Sequence, residues 1–127
     1  MKALLLVAHG SRREASNEEV RALARRMARD HGGGFARVEA AFLELAEPSI
    51  AEGIGALAAA GAREVVVLPY FLSAGRHVSQ DIPAEVERAR ARHPETVIRL
   101  APHLGSAPGV AALLAELAGE TDRTAAS

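Results

Sequence analysis

Short apolar runs, each followed by a polar loop and then an amphipathic stretch, set the rhythm of the chain. Leu4-Leu5-Leu6-Val7-Ala8 runs without a polar interruption, the pattern of a strand buried on both faces, and predicts β-structure over about Lys2 to Ala8. Ser16-Asn17-Glu18-Glu19 has the form of a capping box. Val20, Leu23, Ala24, Met27 and Ala28 then recur at helical spacing, with Arg21, Arg25, Arg26 and Arg29 mostly between them. Gly32-Gly33-Gly34 ends this helix. Val38, Ala40 and Phe42 alternate against Arg37, Glu39 and Ala41, which predicts a second strand within Phe35 to Leu45, finishing near Glu44. Pro48 suits a first helical turn, and a small-residue helix follows from Ile50 to Ala60, closed by Gly61. Gly53 and Gly55 inside it cost about 1 kcal/mol each relative to alanine, so close packing on the sheet is expected at both.

Glu64-Val65-Val66-Val67-Leu68-Pro69-Tyr70 is the strongest strand signal, β-branched and continuous. After the loop from Phe71 to Gln80, Asp81 is placed to cap the next helix, with Pro83 in its first turn. That helix carries Val86 and Ala89 and stops before Pro94. Thr96 to Ala101 reads as a fourth strand, and Pro108 to Gly119 as a last helix with Val110, Leu113, Leu114 and Leu117 on one side. The order βαβαβαβα predicts an α/β fold: a four-stranded parallel sheet with helices on both faces. One domain over residues 1–120 and a frayed tail over 121–127 are expected.

Composition narrows the chemistry. The 127 residues suffice for one domain with a real core. Half are hydrophobic but only 3% are aromatic, which favours close-packed helices over a core of large rings. A net charge of −1 gives no electrostatic reason to expect nucleic acid or an anionic membrane as partner. With no cysteine, disulfides and thiolate metal sites are excluded. The apolar run after Lys2 is too short for a secretory leader, and no stretch approaches the roughly 20 apolar residues of a membrane span. A cytoplasmic location is the expectation.

Ligands of open parallel sheets bind beyond the carboxyl ends of the strands. His9 follows the first strand, Glu44 ends the second, His77 lies after the third and His103 after the fourth. Four imidazole or carboxylate groups thus arrive at one edge, a donor set suited to Zn, Fe, Co or Ni. Glu47 is a neighbour of Glu44 better suited to helix capping. His31 and His93 fall at helix C-termini, where the dipole favours a cation. Arg12, Arg13 and Arg76 flank the edge; guanidinium recognises carboxylates and phosphates, although surface solubility accounts for Arg13. Gly10, Gly75 and Gly105 recur in these loops and permit close approach or positive φ, yet G-x-G-x-x-G and G-x-x-x-x-G-K are both absent.

Three segments carry a resemblance. Val7-Ala8-His9-Gly10-Ser11-Arg12, Phe42-Leu43-Glu44-Leu45-Ala46-Glu47-Pro48-Ser49-Ile50 and the run from Leu68 to Pro83 resemble the small sirohydrochlorin cobaltochelatases and ferrochelatases. These are single-domain relatives of the class II chelatases. The resemblance extends to about Leu117, and its third segment is long and specific. It implies a flavodoxin-like sheet and insertion of a divalent metal, Co²⁺ or otherwise Fe²⁺ or Ni²⁺, into sirohydrochlorin for cobalamin or sirohaem. It also implies His9, Glu44 and His77 as metal ligands and catalytic groups. No cofactor is implied beyond the metal that is inserted. His103 departs from the family pattern and is peripheral.

Insertion exchanges one dication for two pyrrole protons, so weak metal ligands and a proton acceptor are needed together. Neutral histidine serves as either near pH 7. Sirohydrochlorin is a polycarboxylate, and Ser11, Arg12 and Arg76 are the expected substrate-binding residues. One such domain offers one wall to a flat macrocycle, which leads to the expectation of a homodimer. Two other readings share these residues: a non-catalytic tetrapyrrole or metal carrier, and a phosphatase with His9 as nucleophile, which would call for an arginine where Ala8 stands.

Overall fold

In the computed structural model, which describes residues 1–126, the first apolar run becomes β1 (Lys2–Ala8), second in a parallel sheet of order β2-β1-β3-β4. Its neighbours are β2 (Arg37–Phe42) and β3 (Glu64–Pro69), with β4 (Val97–Leu100) at the far edge. The helices α1 (Glu14–His31), α2 (Ile50–Ala59), α3 (Ile82–Arg92) and α4 (Gly109–Ala126) alternate with the strands, giving the expected βαβαβαβα order.

Both faces of β1 are apolar, and the two faces feed different cores. Leu5 and Val7 pack with Ile50, Ile54 and Leu57 of α2 and with Ile82 and Val86 of α3. Leu4 and Leu6 pack with Ala24 of α1 and with Val38 and Phe42 of β2. Right-handed crossovers account for the division. The chain steps one way from β1 to β2 and the other way from β2 through β3 to β4, so α1 lies on one face and α2 and α3 on the other. Each fully buried leucine or isoleucine in these clusters contributes about 1.5–3 kcal/mol from area removed from water.

Local chemistry shifts several element boundaries. Helix α1 begins at Glu14, capped by the backbone of Arg13 with no side-chain bond, so Ser16 stands inside the helix and the expected capping box is not formed. Asn17, 2% exposed, turns away from such a role and binds the preceding loop. The capping box belongs instead to α2: the Ser49 side chain accepts from the Glu52 N–H, and the Glu52 carboxylate accepts from the Ser49 N–H. Its hydrogen bonds hold the Glu52 carboxyl below its ordinary value. Pro48 therefore precedes the helix, through a cis bond from Glu47, and Glu47 does not cap. Gly53 does pack closely, since a β-carbon there would lie 3.1 Å from Leu5 Cδ1 and 3.3 Å from Ala41 Cβ. Gly55 does not: its nearest neighbour would be His93 Nε2 at 3.9 Å.

Helix α4 differs most from expectation. It packs chiefly on the 3-10 turn Leu104–Ser106 before it, and Leu113 and Leu114 are 56% and 61% exposed. Among the described residues, no helix is long and apolar enough to cross a membrane. The side chains of His31 and of residues 121–127 lie outside the described residues, and with them the expectations of a helix-cap His31 and a frayed tail.

Candidate metal and substrate site

Backbone pairing continues past the ends of the strands and builds the site. The Leu43 N–H donates to the Ala8 carbonyl at 3.0 Å, and the Glu44 N–H to the His9 carbonyl at 3.1 Å. The loop after β2 is thereby zipped to the loop after β1, although the strand itself stops at Phe42. Gly10, at φ +96°, lets the two backbones close up; a β-carbon there would fall 1.8 Å from the Glu44 carbonyl oxygen. Leu45 follows with φ 66°, an uncommon conformation for a branched residue, and turns the chain away immediately after Glu44.

The first loop is braced from below by Asn17. Its Oδ1 accepts from the Ser11 N–H at 2.9 Å and its Nδ2 donates to the Ser11 carbonyl at 2.8 Å. Ser11 Oγ in turn accepts from the Arg13 N–H at 3.0 Å, which leaves the hydroxyl proton as its donor toward a ligand. Sequence reasoning missed Asn17. An amide just ahead of an apolar periodic stretch reads as a capping residue, and only its burial exposes the different task.

The loop after β3 arrives through a wide turn, His77–Asp81, in which the Ile82 N–H donates to the His77 carbonyl five residues back. Such π-type turns recur at functional sites. Asp81 is helical in conformation and makes no side-chain cap bond, so the expected capping role is not realised. Its Oδ2 instead lies 2.8 Å from His77 Nδ1. The loops after β3 and β4 are pinned together by Gly105, whose N–H donates to Phe71 O at 3.0 Å. A β-carbon there would lie 1.7 Å from the Leu72 carbonyl oxygen. A β-carbon on Gly75 would meet only open space, so Gly75 pins no loop by close approach.

Three of the expected residues converge. His9 Nε2 is 3.1 Å from Glu44 Oε1, and the His9 and His77 rings meet edge-on with centroids 4.8 Å apart. The His9, Glu44 and His77 side chains are 42%, 58% and 44% exposed, so an incoming ion can reach all three. His9 Nδ1 lies 2.9 Å from the Gly10 carbonyl. A carbonyl only accepts, so Nδ1 carries a proton and Nε2 is the nitrogen turned to Glu44. Glu44 and His77 also line a groove of about 400 Å³ together with Asp81, Ser49, Glu85 and Arg88.

The remaining candidates separate from this group. The His103 side chain makes none of the contacts that join His9, Glu44 and His77; the residue leads into the 3-10 turn, where its carbonyl accepts from Ser106 Oγ. His93 lies by Gly55 at the opposite end of the sheet. Arg12, Arg13 and Arg76 are exposed. Among the described residues no three His, Asp or Glu side chains close a preformed metal cage. His9, Glu44 and His77 instead form an open cluster that solvent reaches.

The CbiX family model matches residues 3–121. Among curated proteins, the chain is 40% identical over 83 residues to the sirohydrochlorin cobaltochelatase of Methanopyrus kandleri, covering 65% of this chain and 57% of that protein. It is 41% identical over 81 residues to the chloroplastic sirohydrochlorin ferrochelatase of Arabidopsis thaliana, covering 64% and 35%. The match thus spans about half or less of the length of these relatives. Among solved structures, a CbiX protein from Marinobacter aquaeolei VT8 is similar at a TM-score of 0.80 and 31% identity, over 98% of this chain and 99% of that one. The sirohydrochlorin chelatase SirB from Bacillus subtilis subspecies spizizenii, solved in complex with cobalt, is similar at 0.74 and 33%, over 80% and 43%.

Proposed function

The chain belongs to the CbiX family, and from that premise we propose that it inserts a divalent metal into sirohydrochlorin in the cytoplasm. Co²⁺ is the favoured metal, with Fe²⁺ and Ni²⁺ as its competitors. The observation that carries the reading is the convergence of His9, Glu44 and His77, with His9 Nε2 set 3.1 Å from the Glu44 carboxylate. Curated relatives named as cobaltochelatases and ferrochelatases support the substrate, and a relative solved with cobalt supports the metal.

In this reading His9 and His77 hold the metal against the macrocycle through a few exchangeable bonds. Glu44 offsets the dication's charge, and the pyrrole protons released as the metal enters pass to the carboxylate–imidazole group. Exposed Leu45 and Leu72, 53% and 71% accessible, offer apolar contact to the ring. Arg12, Arg76 and the Ser11 hydroxyl meet its carboxylates. A homodimer completes the cleft, and the apolar side of α4 carrying Leu113 and Leu114 is the surface available to a second copy.

The test is sirohydrochlorin with Co²⁺, Ni²⁺ or Fe²⁺ under anaerobic conditions, followed by absorbance. Acceleration over the spontaneous rate is expected, with most of it lost in His9→Ala and in His77→Ala and retained in His93→Ala. No acceleration with any metal would end the enzymatic reading, and tight macrocycle binding without turnover would mark a carrier.

A further inference from the structure

We propose that Asp81 is a positioning residue: it fixes the His77 imidazole in one tautomer and orientation, so that Nε2 alone is presented to the metal. The contact that carries this is His77 Nδ1 to Asp81 Oδ2 at 2.8 Å. An ionised carboxylate only accepts, so the Nδ1 proton lies between the two groups and the lone pair is left on Nε2. A carboxylate behind a ligating imidazole restrains the ring's rotation and raises its donor strength.

The backbone is shaped to make this pair. Within the turn His77–Asp81, the bond from the Ile82 N–H to the His77 carbonyl spans five residues rather than four. A second anchor, the Ser79 N–H to the Gly75 carbonyl at 3.0 Å, fixes the start of the turn. Asp81 is not held by helix capping, since its backbone is helical and its side chain makes no cap bond. Among the described residues, the side-chain partner of its carboxylate is the imidazole. The two rings of the site then match. His9 has its Nδ1 on the Gly10 carbonyl and His77 has its Nδ1 on Asp81, so each offers Nε2, one backed by a neutral dipole and the other by an anion.

The inference rests on the chelatase reading only for the identity of what His77 holds; the tautomer itself is independent of any activity. Nitrogen-15 NMR of the metal-free protein reads it directly. Wild type is expected to show His77 with its proton on Nδ1, and Asp81→Ala to shift it toward the Nε2–H form common in unconstrained imidazole. Asp81→Asn, whose amide oxygen still accepts, is expected to keep the Nδ1–H form. Titration with Co²⁺ alone, without tetrapyrrole, is expected to give about 10- to 100-fold weaker binding in Asp81→Ala and a smaller loss in Asp81→Asn, with thermal unfolding confirming that both variants fold. An Nε2–H tautomer in wild type, or an Asp81→Ala protein with unchanged tautomer and unchanged Co²⁺ affinity, would overturn the assignment. A protein that shows the tautomer shift but inserts no metal would instead overturn the chelatase reading and leave the role of Asp81 standing.

Discussion

Gly10 lies against the backbone of Glu44 so closely that any β-carbon on it would come within 1.8 Å of the Glu44 carbonyl oxygen. The close approach sets the His9–Glu44 pair, because the His9 carbonyl and the Glu44 N–H are joined beside it. Gly10→Ala meets both the clash and an unfavourable positive φ, and is expected to lose at least 1–3 kcal/mol of stability and most of the proposed metal-insertion rate. Parallel thermal unfolding and insertion assays would show it; an alanine variant with wild-type activity would mean that the loops need no such contact.

Asn17 is a second, hidden support. Asn17→Ala leaves the Ser11 N–H and carbonyl without their partner and is expected to cost about 1–3 kcal/mol. Because Ser11 and Arg12 sit on the loop it braces, the KM for the proposed substrate, sirohydrochlorin, should rise as well. Denaturant unfolding with steady-state kinetics separates the two effects, and an unchanged KM would confine Asn17 to stability.

The two helical glycines of α2 predict opposite responses. Gly55→Ala places its methyl 3.9 Å from His93 Nε2, an ordinary contact, so it should gain about 0.5–1 kcal/mol from helix propensity. Gly53→Ala must push into Leu5 and Ala41 and should gain nothing or lose stability. Equal shifts in the unfolding midpoint would count against the tight seat of α2 on the sheet.

Arg76 is exposed and stands beside His77. In the proposed reaction, Arg76→Ala is expected to raise the KM for sirohydrochlorin about 10-fold, roughly the loss of one charge-assisted hydrogen bond, with kcat nearly unchanged. The wild-type KM should itself rise with ionic strength. A fall in kcat alone would place Arg76 in the chemistry instead.

The capping box of α2 gives a pH signature. Hydrogen bonds from Ser49 hold the Glu52 carboxyl below its ordinary value of 4.5. The contribution is therefore present above that pH and fades as pH falls through the lowered folded-state value. Glu52→Gln keeps a cap and removes the titration, so its acid unfolding limb should be shallower than that of wild type.

Much of this was legible in the residues. Parallel strands followed by helices predict where loops gather, and His9, Glu44 and His77 were placed together because each follows a strand at the same edge. What could not be read was the detail that depends on approach in space. Asn17 and Asp81 both look like caps, because Asx residues ahead of an apolar periodic stretch satisfy helix ends in most settings. Here one is buried against a loop and the other is taken by an imidazole across a widened turn. The apolar side of α4 was legible too, but periodicity identifies a face and not the surface that covers it.

The doubly apolar β1 has a further consequence. A strand with one wet face resists slippage, because a shift by one residue would drown its core side. Leu4 to Val7 would bury equally well after such a shift, so hydrophobicity alone does not fix how β1 sits between its neighbours. The marks that do are at its ends: the Lys2–Glu64 ion pair at 3.4 Å and, at the other end, the wedge of Gly10 under Glu44. The loop that carries His9 is thus also the alignment stop of the central strand, and a correctly threaded sheet sets His9 beside Glu44.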